Sequence, residues 1–149
     1  MAKEIITHIR IQATPLKIWS VFTEFAQYPE WNPFIRSLDG DVRVGQKIRV
    51  HIQPPDSGSM IFKPKVLVYE ENKKLSWIGR LLIPGLFDGE HTFELIDNGD
   101  GTTTFVQSEI FKGLLVPLFQ KTLDNNTRRG FEQMNLKLKE MCENESKSA

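Results

Sequence analysis

Cysteine is almost absent. Cys142 stands alone among 149 residues, so no intrachain disulfide can form and no metal cluster can be built on thiolates. Its place near the C-terminus predicts a helical thiol on the solvent side or partly buried. A surplus of either charge is also missing: Lys+Arg and Asp+Glu number 19 each. That balance gives no basic footprint for nucleic acid and no polybasic cluster for an anionic membrane. No apolar run approaches the roughly 20 residues that span a bilayer. The opening Ala2-Lys3-Glu4-Ile5-Ile6-Thr7-His8 carries no apolar signal core. The expectation is a cytoplasmic chain without integral membrane association. Signatures of common chemistries are missing too. There is no Gly-rich phosphate loop and no Gly-x-Ser-x-Gly elbow. His8, His51 and His91 are scattered without metal-ligand spacing. Neither a metal nor a cofactor is expected.

What is present is ordinary for a globular protein, with 40% apolar and 26% charged residues. The length suits one domain, 1–149, with a sizeable core. Residues 143–149 are polar and expected to fray. Zero net charge does little to keep molecules apart, so a monomer or weak homodimer is expected.

The most informative stretch is Tyr28-Pro29-Glu30-Trp31-Asn32-Pro33-Phe34. Each proline pushes the residue before it away from the α region, which biases Tyr28 and Asn32 toward extended geometry. Three aromatics on so short a segment need something to pack against. The spacing predicts a helical turn that tucks them inward and launches a strand.

Around it the periodicity changes. Ile5, Thr7, Ile9 and Ile11 share one strand face. Thr14-Pro15 is an N-cap followed by a favourable first helical residue, and Ile18, Val21, Phe22 and Phe25 extend a helix from 15 to about 25. Strand-like runs then follow at 34–38, 48–52, 60–68, 75–81, 91–95 and 103–111, separated mainly by turn signals. Asp97-Asn98-Gly99-Asp100-Gly101 is the strongest hairpin signal. Leu118, Phe119, Leu123, Phe131, Met134, Leu138 and Met141 form a helical stripe, interrupted by Gly130 at a cost of about 1 kcal/mol against alanine. Short turns between strands imply antiparallel pairing, and no strand–helix–strand repeat occurs in the middle. The fold class is therefore α+β.

Three motifs carry a resemblance. Pro29-Glu30-Trp31-Asn32-Pro33-Phe34 resembles the Pro-x-Trp-Asn-Pro-Phe/Tyr run of the START-like (SRPBCC) superfamily, and of its bacterial polyketide cyclase/dehydrase and lipid-transport proteins in particular. Gly89-Glu90-His91-Thr92-Phe93-Glu94-Leu95 is similar to that family's Gly-x-His-x-Phe-x-Leu strand. Gly101-Thr102 with Ser108-Glu109-Ile110-Phe111-Lys112-Gly113 is similar to a further strand of the family. The resemblance implies a Bet v 1-like helix-grip: a curved seven-stranded antiparallel sheet around a long C-terminal helix, with two short helices between strands 1 and 2. It also implies that the helix leaves a hollow inside the grip.

Met60, Phe62, Trp77, Phe87, Phe93, Phe105 and Phe119 are candidates to line that hollow, each with plain core packing as its alternative. His8 and His51 fall on polar strand faces. His91 shares a face with Phe93 and Leu95, and Gln107 and Glu109 lie on the matching face of the next strand. If the hairpin pairs these strands, His91 and Glu109 meet across it. They are candidates for an acid/base pair or, with Gln107, for a ligand's polar anchor; alternatively they satisfy each other structurally. Gly79 and Gly130 are consistent with space in the hollow. Ile83–Phe87 and Gly113–Leu118 are unusually apolar connections, either a greasy mouth or segments buried against the helix. Three functions stay open at this level: a carrier of a hydrophobic or amphipathic small molecule, a cyclase/dehydratase-type enzyme on the same scaffold, and an interaction module using the apolar rim.

Overall fold

The computed structural model describes residues 2–81 and 83–148. In chain order the strands are β1 (Ala2–Ile11), β2 (Ile35–Asp39), β3 (Arg49–Ile52), β4 (Met60–Phe62), β5 (Lys65–Glu70), β6 (Lys74–Leu81), β7 (Phe87–Asp97) and β8 (Thr103–Lys112). Between β1 and β2 lie helix α1 (Pro15–Phe22), a 3-10 turn (Phe25–Gln27) and the short α2 (Tyr28–Trp31). After β8 come a 3-10 turn (Val116–Phe119), α3 (Gln120–Thr122), a π-helical turn (Leu123–Thr127) and α4 (Arg128–Ser148), which run on from one another. The α+β helix-grip is therefore the architecture: antiparallel sheet, two short helices, and a long C-terminal helix.

The strands divide into a five-stranded sheet ordered β1-β8-β7-β6-β5 and a three-stranded sheet ordered β2-β3-β4. Among the described residues eight strands appear rather than seven, because Pro64 splits the run 60–68. Proline has no N–H for a ladder. Its carbonyl instead accepts from Ile48 N at 2.9 Å. β4 pairs with β3, while β5 pairs with β6, and a register shift between Val66 and Val68 breaks the expected alternation. The two sheets stay linked through a Lys47–Lys65 bridge.

Thr14 caps α1, accepting from Lys17 N at 3.2 Å, with Pro15 in the first turn. The helix ends at Phe22, three residues short of expectation, and Phe25 begins the 3-10 turn. Asn32 is extended as expected, and its side-chain oxygen accepts from Phe34 N and Ile35 N, turning the chain into β2. Tyr28 differs: it is helical despite preceding Pro29. Its hydroxyl donates to Phe22 O at 2.6 Å and its ring meets Phe25 and Trp31 edge-on. Burial of that ring outweighs the local bias.

The core lies between the five-stranded sheet and helices α1 and α4. Phe22 packs on Phe93 and Phe105, with centroids 4.9 and 5.8 Å apart, and Phe131, Met134 and Leu138 of α4 are fully buried. Cys142 is fully buried as well, contrary to the solvent-side or partly buried placement, because it continues the Phe131–Leu138 stripe. Glu143 is tied to the body, accepting from Gln12 N at 2.9 Å, and α4 continues to Ser148. Leu118 and Phe119, expected on the apolar stripe, are 76% and 42% exposed, because they lie in the 3-10 turn ahead of the helix. Gly130 does not border open space: a Cβ there would overlap the ring of Phe34.

Candidate functional site

The β7–β8 hairpin sets the site. Its register makes His91 and Glu109 direct partners, with Trp77 beside His91 on β6 and Ile5 beside Glu109 on β1. The next row on the same face is Leu75, Phe93, Gln107 and Thr7. Alternation along each strand thus delivers two polar side chains from each row to the inner face, His91 and Glu109 from one and Gln107 and Thr7 from the next. Gly89, two residues before His91, leaves room for the Glu109 carboxyl. A Cβ at Gly89 would overlap Glu109 Oε2.

His91 is held on all sides. Its ring stacks on Phe93 at 4.4 Å between centroids and meets Phe131 at 4.8 Å and Trp77 at 5.4 Å. Nδ1 stands 3.3 Å from Glu109 Oε1, and Nε2 lies 2.9 Å from Gln107 Oε1. Behind Gln107 a buried chain continues. Gln107 Nε2 donates to Asn135 Oδ1 at 2.8 Å, Asn135 Nδ2 donates to Thr7 Oγ1 at 2.9 Å, and the Thr7 hydroxyl donates to Gln107 O at 2.9 Å. Every one of these side chains except Glu109 is essentially shut off from solvent; Glu109 retains 15% exposure.

Burial governs the protonation of the pair. It pulls His91 down to about 4, against the raising effect of its Gln107 hydrogen bond, and lifts Glu109 to about 8. At neutral pH both are uncharged, which is how a pair without solvent avoids the cost of two buried charges. The closest approach of the two groups is the 3.3 Å between Nδ1 and Oε1.

In front of this pair is a cavity of about 320 Å³. The five-stranded sheet contributes Trp77, Gly79, Gly89, His91, Glu109 and Phe111; the three-stranded sheet contributes Val50, Ile52, Met60 and Phe62. The α3–π-turn segment closes the third side with Thr122, Leu123 and Thr127, and Phe34, Pro54, Ser57, Pro64, Phe87 and Phe119 complete the wall. Among the described residues, His91 and Glu109 are the only titratable groups on a mostly apolar lining. The π-turn, a rare geometry often found at functional sites, lies directly on the cavity. The loop carrying Pro54 and Ser57 is fastened by Gln53 Nε2 to Ser57 O at 2.7 Å and by Arg129 to Asp56 at 3.1 Å.

Seven of the predicted residues meet here: Met60, Phe62, Trp77, Phe87, His91, Glu109 and Phe119. Phe93, Phe105 and Gln107 do not reach the cavity. Phe93 and Phe105 are in the core under α1, and Gln107 sits behind His91. His8 is exposed as expected, whereas His51 is half-buried. The mouth is partly as anticipated: Ile83, Leu114 and Leu118 are well exposed, while Val116 is buried. The two apolar connections bind each other, Leu114 N to Gly85 O at 3.1 Å and Leu115 N to Leu86 O at 3.0 Å. Asn135 and Thr7 were missed. Both are lone polar residues on an apolar face, Asn135 within Phe131–Leu138 and Thr7 between Ile5 and Ile9, and that pattern was the signal. Among the described residues no group of side chains could hold a metal ion, and no helix is long and apolar enough to cross a membrane.

No curated protein sequence matches the chain significantly. Solved structures match over almost the whole fold. An aromatase/cyclase from Streptomyces sp. R1128 superposes with a TM-score of 0.77 at 11% identity, covering 96% of this chain and 94% of its own. A norcoclaurine synthase point mutant from Thalictrum flavum, in complex with a transition-state analogue, gives 0.72 at 17% identity, covering 98% and 97%. A START superfamily protein from Mycobacterium smegmatis gives 0.69 at 19% identity, covering 93% and 98%. At these identities the likeness is one of fold. The sequence itself decides the family: the model for polyketide cyclase/dehydrase and lipid transport proteins matches residues 4–143, and the chain belongs to that family.

Proposed function

We propose that the protein binds a hydrophobic or amphipathic small molecule between the two sheets and the helix junction, with the polar end of the ligand at Glu109 and His91. The observation that carries this reading is the cavity itself, lined mostly by apolar side chains with the neutral His91–Glu109 pair on its wall. Its volume of about 320 Å³ falls at the small end of ligand pockets. Apolar contact supplies most of the affinity, at about 25 cal/mol per Å² removed from water. The polar pair supplies orientation.

Native mass spectrometry of gently purified protein tests the reading. The expected result is a bound apolar small molecule in a fraction of the population, or a mass shift on incubation with aromatic and acyl compounds. A clean apo mass with no shift across such a set overturns it.

A second reading, a cyclase/dehydratase-type enzyme, draws on the closeness of Glu109 and His91, 3.3 Å apart. A carboxyl and an imidazole, both uncharged at neutral pH and facing an apolar hollow, are suited to general acid–base work. Turnover that disappears in His91→Ala while the ligand still binds supports this reading; loss of binding and turnover together supports the anchor alone.

A further inference from the structure

The buried chain behind His91 has a direction, and both of its ends are pinned by backbone carbonyls. Gln107 Nε2 also lies 3.4 Å from Phe131 O. A carbonyl can only accept, so the amide nitrogen of Gln107 faces α4 and its oxygen faces His91. Oxygen there requires a proton on His91 Nε2. A neutral imidazole carries one N–H, so Nδ1 presents a lone pair to Glu109 Oε1. At the far end the Thr7 hydroxyl is committed to Gln107 O, which leaves Thr7 Oγ1 to accept from Asn135. Four donors thus point the same way, from His91 toward the core. Among the described residues the Glu109 carboxyl is the group that faces this lone pair, with Oε1 at 3.3 Å, and completing the line there puts its proton on Oε1. Oε2 is then a carbonyl-type oxygen without a protein hydrogen bond among the described residues, on a side chain that lines the cavity.

The geometry points to a ligand that donates at this spot: Glu109 Oε2 selects apolar molecules bearing a hydroxyl, such as a phenol or an alcohol, over molecules that can only accept. Gln107, Asn135 and Thr7 are positioning residues in this scheme, since they hold the His91 tautomer that orients the Glu109 proton. A ligand that only accepts would have to draw that proton away from His91 and strand a buried lone pair, which costs more than the bond returns. Other charges do not disturb the arrangement. On β1 the nearest cation, Lys3, is paired with Asp124 of the π-turn. On α4, Arg129 pairs with Asp56 and Arg128 donates to Ile6 O. On the three-stranded sheet, His51 alternates with the cavity-facing Val50 and Ile52 and so lies on the other face.

This inference rests on the cavity reading and goes further, to the class of ligand. Three probes of matched shape test it: 2-naphthol, 2-methoxynaphthalene and 2-acetylnaphthalene, titrated calorimetrically at pH 7. The expected order places 2-naphthol about tenfold or more ahead of the other two. Glu109→Leu should bring all three together. Glu109→Gln should restore the preference, because an amide can donate from nitrogen to His91 Nδ1 and offer its oxygen to the cavity, as the protonated acid does. A 2-acetylnaphthalene affinity equal to or above that of 2-naphthol overturns the inference and leaves the cavity reading standing. So does a Glu109→Gln protein that treats all three probes alike. No binding of any probe overturns the inference, and the cavity reading falls with it only where native mass spectrometry also returns a clean apo mass across the aromatic and acyl compounds. Histidine ¹⁵N spectra of the ligand-free protein add an independent readout: His91 must appear as the Nε2–H tautomer, and the Nδ1–H form would overturn the scheme by itself.

Discussion

Gly130 of α4 and Phe34 of the loop before β2 occupy one volume between them: the ring stands where a Cβ on residue 130 would be. The same ring meets Phe131 at 5.4 Å and forms part of the cavity wall. A gap in the helix surface is therefore what lets the Trp31 segment press its last aromatic against α4.

Gly130→Ala should destabilise the protein even though alanine is the better helix former. The propensity gain is about 1 kcal/mol, and overpacking against a fixed aromatic costs about 1–3 kcal/mol. Urea unfolding should show a lower midpoint at an unchanged m-value. Phe34→Leu in the same protein should return part of the loss, a coupling that a purely helical effect would not produce. A midpoint raised by Gly130→Ala alone would show that Phe34 does not hold this position.

The neutral pair shapes the pH dependence of stability. His91 titrates near 4 when folded against an ordinary 6.5, so below 6.5 the unfolded chain takes up a proton that the folded one refuses. Glu109 titrates near 8 against an ordinary 4.5, so above 4.5 the unfolded chain releases a proton that the folded one keeps. From 4.5 to 6.5 the two effects oppose each other and their sum is flat. Above 6.5 only Glu109 acts, and its effect lowers stability until pH passes 8. The drop amounts to about 2 kcal/mol, at 1.36 kcal/mol per unit of pH. Denaturant titrations at pH 6.5 and 8 should show this loss in the native sequence and not in Glu109→Gln. A pair that stays flat to pH 8 in both would mean the carboxyl is already ionised at neutrality.

Much of this site was legible in the sequence because strands alternate with period two and the Asp97–Gly101 turn fixes one register. Those two rules alone set His91 opposite Glu109. The rule gives a face, however, and not a depth along it. Phe93, Phe105 and Gln107 share the face of His91, yet α1 and α4 cover their end of the sheet, so they are in the core while the other end stays hollow. Which end a helix covers depends on contacts far apart in the chain, such as Phe22 with Phe93, and no local pattern records them. Pro64 shows the opposite case: a local signal that was present and outweighed by a run of matching parity. Tyr28 shows a local bias that was read correctly and overruled by burial.

Asn135→Leu should be costly out of proportion to its size. It removes the acceptor for Gln107 Nε2 and the donor to Thr7 in a region closed to water. Stranded buried polar groups cost about 1–3 kcal/mol each. Thr7→Val should cost less in the Asn135→Leu background than in the native protein, since Thr7 then keeps only its bond to Gln107 O. Thermal unfolding of the two single variants and the double variant gives the coupling; strictly additive losses would mean the chain does not act as a unit.

Gly79→Leu should occlude the cavity while sparing the fold. Gly79 pairs with Gly89 across β6 and β7, and the atom nearest to an added Cβ is Pro64 Cβ at 3.9 Å, an ordinary contact. Its backbone is not in the left-handed region, so a leucine meets no strain there. Replacing a strand glycine returns about 0.5–1 kcal/mol of conformational entropy, and the new side chain gains burial where the wall is already apolar. Thermal stability should hold or rise. The same side chain takes volume from a cavity of only about 320 Å³. Any probe that binds the native protein should therefore weaken by about tenfold or more, or about 1.4 kcal/mol. Stability and affinity should move in opposite directions, which separates occlusion from damage. An affinity left unchanged by Gly79→Leu would place the bound molecule outside this hollow, most plainly at the exposed rim of Ile83, Leu114 and Leu118.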